Sequence, residues 1–139
     1  MEVVRVTRGP KPAPQSVGKA FRKVKAPPKW MDDDARAEWR RVMPSLVERR
    51  ILTETDLGSL ENYCIMIAVA RQMERKLRAE GFTYIDEKGS IKRHPAAAIL
   101  ADAVNKARLF ATELGLTPVS RGRPTVTDDD DEDSLLEDV

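Results

Sequence analysis

The side chains best suited to chemistry are few and scattered in this sequence. It contains one histidine, His94, and one cysteine, Cys64, and it has no glycine-rich loop of the kind that cradles phosphates. Cysteine and histidine do not recur at a spacing that would hold a metal. The sequence therefore predicts no catalytic residue, no metal site and no cofactor, and it argues against an enzyme.

His94 and Cys64 each have a structural interpretation. His94 precedes Pro95, and a residue before proline is steered into extended backbone, which favours a helix start. A contact with DNA phosphate or a pH-dependent switch is the alternative for His94. Cys64 lies in the apolar run from Tyr63 to Ala70, which predicts a buried thiol in a reducing cytoplasm. That run is far shorter than the roughly 20 residues that span a bilayer, so we expect an intracellular protein.

Charge is distributed unevenly, although the net charge is only +1. Residues 1–29 hold eight basic residues, one acidic residue, five prolines and little apolar material. Such a segment does not bury enough surface to order itself, so we predict a flexible basic arm that binds DNA phosphates. A solubilising tail is the alternative. The eight basic residues are Arg5, Arg8, Lys11, Lys19, Arg22, Lys23, Lys25 and Lys29.

A second set of basic residues lies on the first predicted helix and the turn beyond it, and comprises Arg36, Arg40, Arg41, Arg49 and Arg50. Arg36, Arg40 and Arg41 are the candidate DNA contacts of this set. The same helix carries Glu38 and Glu48, and ion pairs with these acids on a solvated face are the alternative.

The first two helices follow from capping residues and helical spacing. Asp32 to Asp34 can cap a first helix, within which Pro44 predicts a kink or an early stop. Its apolar positions are Ala35, Trp39, Val42, Met43 and Leu46. Thr53 and Asp56 have the spacing of a capping box, which predicts a second helix over about residues 54–80, roughly 40 Å long.

The second helix has more apolar surface than one small chain would cover. Ile65, Met66 and Val69 lie on a second face, apart from the stripe that contains Leu60 and Cys64. We therefore predict that these three residues form an interface between subunits of a homo-oligomer. Aromatic residues make up only 5% of the sequence, which also favours burial between subunits.

A β-hairpin and a third helix complete the predicted fold. Residues 82–85 and 90–92 read as two short strands around a turn that contains Gly89. Pro95 suits the first position of a third helix, which Gly115 ends in a left-handed cap. Its small-residue stripe is Ala98, Ala101, Val104, Ala107, Ala111 and Leu114. The fold class is mainly α, in which the long central helix and the C-terminal helix form a helical hairpin.

An acidic tail occupies residues 124–139, which hold eight acids and no base. Leu135 and Leu136 are adjacent within it, and they predict a segment that docks in a partner's groove. A DNA-mimicking competitor for the basic arm and a solubilising tail are the alternatives. The predicted organisation is thus a basic arm over 1–29, a helical domain over 30–123 and an acidic tail over 124–139.

The chain resembles the small terminase subunit of tailed phages over about residues 27–123. The resemblance is carried by an ordered series of landmarks. They are Pro28, Trp30, Trp39, Pro44, Leu46, Leu52, Asp56, Leu60, Tyr63-Cys64, Gly81, Gly89, His94-Pro95, Leu114-Gly115-Leu116-Thr117-Pro118 and Ser120-Arg121.

The resemblance implies a ring of more than four subunits in the cytoplasm of a bacterial host. Such a ring recognises viral genomic DNA and delivers it to the large terminase subunit, which carries the ATPase and nuclease activities. A dimeric helix-turn-helix regulator that uses the first two helices on DNA is the alternative function. A purely structural oligomerisation module is a third, but it leaves the basic arm unexplained.

Overall fold

The computed structural model describes residues 19–121, and its elements occur in the predicted order. The predicted mainly helical fold, with a hairpin between the second and third helices, is confirmed. No helix of this described part is long and apolar enough to cross a membrane. The elements are α1 Asp33–Glu48, α2 Leu57–Glu80, β1 Thr83–Ile85, β2 Ile91–Arg93, α3 Pro95–Glu113 and the short α4 Pro118–Arg121.

Helix α1 begins and ends on defined caps. Asp32 is the N-cap, and its carboxylate accepts a 2.9 Å hydrogen bond from the Ala35 N–H. The helix continues past Pro44 to Glu48, so the expected early stop is wrong. Pro44 is exposed, and its missing N–H and its ring affect the turn that precedes it, so the residues that follow can stay helical. Arg50 then adopts a φ of 51°, the left-handed position that usually takes glycine.

Helix α2 starts as its sequence predicts. The Thr53 N–H donates a 2.9 Å hydrogen bond to the Asp56 carboxylate, which confirms the expected pairing. A 3₁₀ turn over Glu54–Asp56 leads directly into α2. At 24 residues, α2 is about 36 Å long. It is the element against which α1 and α3 both pack.

The two strands form an antiparallel hairpin in which Tyr84 pairs with Lys92 and Ile85 pairs with Ile91. The Asp86 carboxylate accepts hydrogen bonds of 2.9 Å from the N–H groups of Lys88 and Ser90 and so holds the turn. Every residue of both strands is exposed. A two-stranded hairpin exposed on both faces is marginally stable in water, so this one depends on its attachment to the helices.

Helix α3 ends in the predicted glycine cap and buries the second half of the predicted stripe, at Ala107 and Leu114, but not the first half. Gly115 has a φ of 70°, and the Leu116 N–H bonds to the Ala111 carbonyl at 2.8 Å. The predicted positions Ala98, Ala101 and Val104 are exposed. They recur every three residues, and each such step lags about 60° behind a full helical turn, so the stripe drifts off the buried face. The buried alanines are Ala96, Ala97, Ala103 and Ala107.

The hydrophobic core is formed by α1, the first half of α2 and the second half of α3. Met43, Leu46, Leu52, Leu60 and Cys64 are its most completely buried side chains. A smaller cluster unites Leu77 of α2 with Ala96 and Ala97 at the start of α3. The two clusters hold α2 and α3 together at both ends, as a helical hairpin requires.

Candidate nucleic-acid interface

The described part of the basic arm is held against the helices by its backbone. The Phe21 N–H donates a 2.9 Å hydrogen bond to the Leu52 carbonyl, and the Phe21 ring packs against the main core. The Trp39 indole N–H donates a 2.8 Å bond to the Lys25 carbonyl. The Lys25 ammonium lies 4.2 Å from the centroid of the Phe21 ring, within cation–π range. These contacts fix the backbone positions of the neighbouring basic residues.

All five described basic residues of the arm have exposed side chains. They are Lys19, Arg22, Lys23, Lys25 and Lys29. Arg5, Arg8 and Lys11 lie outside the described residues. A cationic side chain that keeps its charge in water while its backbone is held by the core is well suited to contact phosphates.

Three cations surround one surface depression at the end of α1. Lys19, Arg22 and Arg50 line a concavity of about 390 Å³, which is called the basic concavity below. Arg50 reaches it because the chain turns at the left-handed position that ends α1. A non-glycine residue there costs roughly 1 to 2 kcal/mol. The sequence placed Arg50 in the second basic set, but only the backbone turn brings it beside the arm.

The second basic set is divided by its contacts. Arg36 donates to the Lys29 carbonyl, which ties α1 to the end of the arm. Arg41 forms a bidentate ion pair with Glu38, as the alternative interpretation expected. Arg40 is exposed and forms no ion pair within residues 19–121. Arg40 is therefore the member of this set on α1 that is best placed to contact DNA.

Glu38 is a buried carboxylate that joins α1 to α2. Its side chain is 5% exposed and accepts a 2.7 Å hydrogen bond from the Tyr63 hydroxyl. Burial raises the pKa of Glu38, but hydrogen bonds from Arg41 and Tyr63 outweigh burial and bring it below its ordinary value. Burial and the bond to Glu38 both raise the pKa of Tyr63. Glu38 thus stays ionised and Tyr63 stays protonated at neutral pH, so Arg41 is fixed by a structural ion pair.

A second link between α1 and α2 lies at the start of α1. Both guanidinium nitrogens of Arg75 donate to Asp34, at 3.1 and 2.5 Å. The hydrogen bonds from Arg75 lower the pKa of the Asp34 carboxyl. Gln72 donates a 2.7 Å bond to the Asp32 carboxylate, which also caps α1. The acidic cluster that opens α1 therefore has partners on α2.

His94 serves as the N-cap of α3. Its Nδ1 accepts a 3.0 Å hydrogen bond from the Ala96 N–H, so the Nε2 carries the proton and donates to Glu80 at 2.5 Å. That bond lowers the pKa of the Glu80 carboxyl. The helix-entry interpretation is confirmed. Cys64 is fully buried, and burial raises the pKa of its thiol to about 12, as expected of a core residue.

The predicted interface residues of α2 do not form one exposed face. Met66 is partly buried against the main core, so the expectation that all three lack partners within the chain is wrong for Met66. Ile65 and Val69 are half-buried and line an open groove of about 290 Å³ beside Trp30 and Met31. This surface is named the Trp30 face, after an indole that is 61% exposed.

The larger unpartnered apolar surface belongs to the hairpin and α3. Phe82, Tyr84, Ile85 and Ile91 are all exposed. A pocket of about 410 Å³, named the hairpin pocket, lies between the hairpin and α3. The sequence predicted these elements but not this surface. The sequence did carry one signal of this surface, because apolar residues occupy both faces of the two strands. A hairpin with one solvated face would instead alternate apolar and polar residues.

Within residues 19–121, no group of three or more His, Cys, Asp or Glu side chains is placed to hold a metal ion. The predicted docking residues of the tail, Leu135 and Leu136, lie outside the described residues. The described surface consequently offers a basic concavity and two apolar faces.

The comparisons with known proteins agree with this architecture. A profile of the family described as phage terminase, small subunit, matches residues 35–131, which includes nearly all of α1 and every later element. No curated protein and no solved structure matches the chain. Because the matched residues make up well over half of the 139 in the sequence, the chain belongs to the phage terminase small subunit family.

Proposed function

We propose that this chain is the non-catalytic DNA-recognition and adaptor component of a phage packaging machine. It assembles as a ring of more than four subunits in the host cytoplasm, binds viral genomic DNA and delivers it to the large terminase subunit. The ATPase and nuclease activities belong to that large subunit. The small subunit needs no cofactor for this role.

The observation that carries the DNA-binding proposal is the basic concavity. Lys19, Arg22 and Arg50 line one depression, and Phe21 anchors the arm beside it. Each phosphate contact releases condensed counterions, so such a site binds DNA without reading its sequence. Lys23, Lys25, Lys29, Arg36 and Arg40 extend the basic surface, with Arg5, Arg8 and Lys11 preceding it in the sequence.

Assembly into a ring raises the overall DNA affinity of these weak sites. Several copies of one weak site on a single assembly raise avidity through effective concentration, without any new contact. The half-buried Ile65 and Val69, with Met66 behind them, are the proposed subunit contact on α2. The tail residues 124–139 are the proposed docking segment for the large subunit, through Leu135 and Leu136.

Native mass spectrometry together with a DNA mobility-shift assay tests this function. The expected species has more than four subunits and shifts double-stranded DNA at low salt. A double variant, Arg22→Gln with Lys19→Gln, should weaken the shift, whereas Lys106→Gln on α3 is the matched control. Lys106 is exposed and paired with Asp102, away from the concavity.

The mass also separates the alternatives. A dimer that still binds DNA would favour a helix-turn-helix regulator over a packaging ring. An oligomer of any size that fails to bind DNA would leave only a structural module. A monomer at micromolar concentration would contradict the ring.

A further inference from the structure

A closed ring of more than two subunits requires two different contact surfaces on each chain, because every subunit meets its neighbours head to tail. Two of the apolar surfaces that no part of the described chain covers are candidates for these contacts. One is the Trp30 face with Ile65 and Val69, and the other is the hairpin pocket. They share no lining residue, as a head-to-tail contact requires.

The hairpin pocket is suited to an aromatic side chain. Its walls are almost entirely hydrocarbon, from Phe82, Ala97, Leu100, Ala101 and Val104, and Arg93 stands at its border. The two alanines leave room for a large guest, and its volume is about 410 Å³. A guanidinium beside an apolar wall offers a cation–π contact to an indole.

Trp30 is the described side chain that matches this pocket. Its indole is 61% exposed, whereas Trp39 is 2% exposed and is hydrogen-bonded inside the chain. An indole buries roughly 150 to 250 Å² when it is covered, and tryptophan and arginine are the residues that most often dominate interfaces. Exposure of so large an apolar group is costly unless a partner covers it.

The pocket that Trp30 fills must belong to another chain. Trp30 lies beside Ile65 and Val69 on one face of α2. Val104 of the hairpin pocket instead borders Ile67 and Ala70, which at about 100° per residue lie on the opposite face of α2. Trp30 of one chain and its own hairpin pocket are therefore on opposite faces of α2.

The charges around the two surfaces are compatible with this contact. Asp32 lines the Trp30 face and the neighbouring Asp33 is exposed, whereas Arg93 lines the hairpin pocket. Contact between these surfaces joins unlike charges and keeps like charges apart, which favours this pairing over hairpin against hairpin.

We propose that Trp30 of each subunit binds in the hairpin pocket of the next subunit and so closes the ring head to tail. This inference rests on the proposed ring. It assigns the partner of the Trp30 face as a second copy of this chain and makes Trp30 the principal anchor of the contact.

Two complementary variants test the contact. Trp30→Ala removes the anchor and keeps the pocket, whereas Val104→Glu blocks the pocket and keeps the anchor. Val104 is 50% exposed, so the glutamate is accommodated in the folded chain. Each full-length variant alone should be monomeric by native mass spectrometry. An equal mixture should form a heterodimer and nothing larger, because each pair has one functional contact and no second one.

Two measurements accompany the mixture. The tryptophan emission should shift to shorter wavelength on mixing, because Trp30 of the Val104→Glu chain becomes buried in the other chain. Leu109→Glu is the matched control, since Leu109 is also exposed on α3 but does not line the pocket, and this variant should keep the ring. Circular dichroism checks folding, and Ala101→Glu replaces Val104→Glu if that chain loses helicity.

Each other outcome overturns the inference. A ring formed by either variant alone removes Trp30 or the pocket from the contact. A mixture that stays monomeric shows that the two surfaces do not meet, and a homodimer of one variant shows a symmetric contact. If the wild-type protein is itself monomeric, the proposed ring is wrong. The native mass of the wild-type protein is therefore measured before any variants are mixed.

Discussion

The Tyr63 hydroxyl donates a 2.7 Å hydrogen bond to the carboxylate of Glu38, which is 5% exposed and also paired with Arg41. This one contact joins the middle of α1 to the first half of α2, beside the core residue Cys64. A buried carboxylate is tolerated only where hydrogen bonds satisfy it, so both donors are necessary.

Removing the Tyr63 hydroxyl should therefore destabilise the protein. We expect Tyr63→Phe to lower the free energy of unfolding by about 1.5 to 3 kcal/mol, the range for a hydrogen bond to a charged group. Urea denaturation followed by circular dichroism measures it. Tyr84→Phe on the exposed hairpin is the matched control and should change little. Equal effects of the two substitutions would mean that the Glu38 contact contributes nothing.

The lowered pKa of Glu38 predicts a dependence of stability on acid pH. A carboxyl whose folded pKa lies below its unfolded value stabilises the protein above that unfolded value, here near 4.5, and loses this contribution as pH falls through the folded pKa. The free energy of unfolding should thus fall below about pH 4.5. Its slope should be smaller in Tyr63→Phe and smallest in Glu38→Gln, and an identical slope in all three proteins would contradict the assignment.

The cap formed by His94 predicts a difference between two substitutions. His94→Ala leaves the Ala96 N–H without its acceptor and should cost about 1 kcal/mol, the usual effect of losing an N-cap. His94→Asn keeps an acceptor at that position and should retain most of the stability. Thermal unfolding of the two variants distinguishes a cap from a DNA contact. If both lose DNA affinity with stability unchanged, His94 acts on DNA.

The arm predicts how DNA affinity depends on salt. Deletion of residues 1–18 removes Arg5, Arg8 and Lys11 and keeps the Phe21 and Lys25 contacts with the core. The logarithmic salt slope should decrease by up to roughly 0.9 for each lost phosphate contact of one arm. The Lys19→Gln, Arg22→Gln pair should decrease it by a comparable increment for each charge. Fluorescence anisotropy at several salt concentrations measures both, and an unchanged slope would move the DNA site to Arg40.

The acidic tail predicts two separable effects. Leu135→Ala with Leu136→Ala should weaken binding to the large subunit and leave DNA affinity unchanged, because two adjacent leucines are a hydrophobic anchor. Truncation after Pro124 should weaken the same complex. If truncation instead tightens DNA binding at low salt and the gain disappears at high salt, the tail competes with DNA for the basic arm. A solubilising tail would change neither affinity.

Sequence alone determined the order, type and approximate ends of the elements, because local chemistry controls them. Asp32, Thr53 with Asp56, and His94 with Pro95 begin the three long helices, and Gly115 ends α3 with a left-handed turn. These signals act within a few residues, so they can be read without knowing the fold. The family resemblance was likewise readable from ordered landmarks.

Only the tertiary structure decided which side chains share a surface. Arg41 looked like a candidate DNA contact beside Arg40, but it faces a carboxylate whose other partner, Tyr63, lies on a different helix. Arg50 joins Lys19 and Arg22 because the backbone turns at a φ of 51°. Spacing along one helix predicts a face but not what covers it. The exposed Trp30 and the pocket at Val104 consequently emerged only once all three helices were packed.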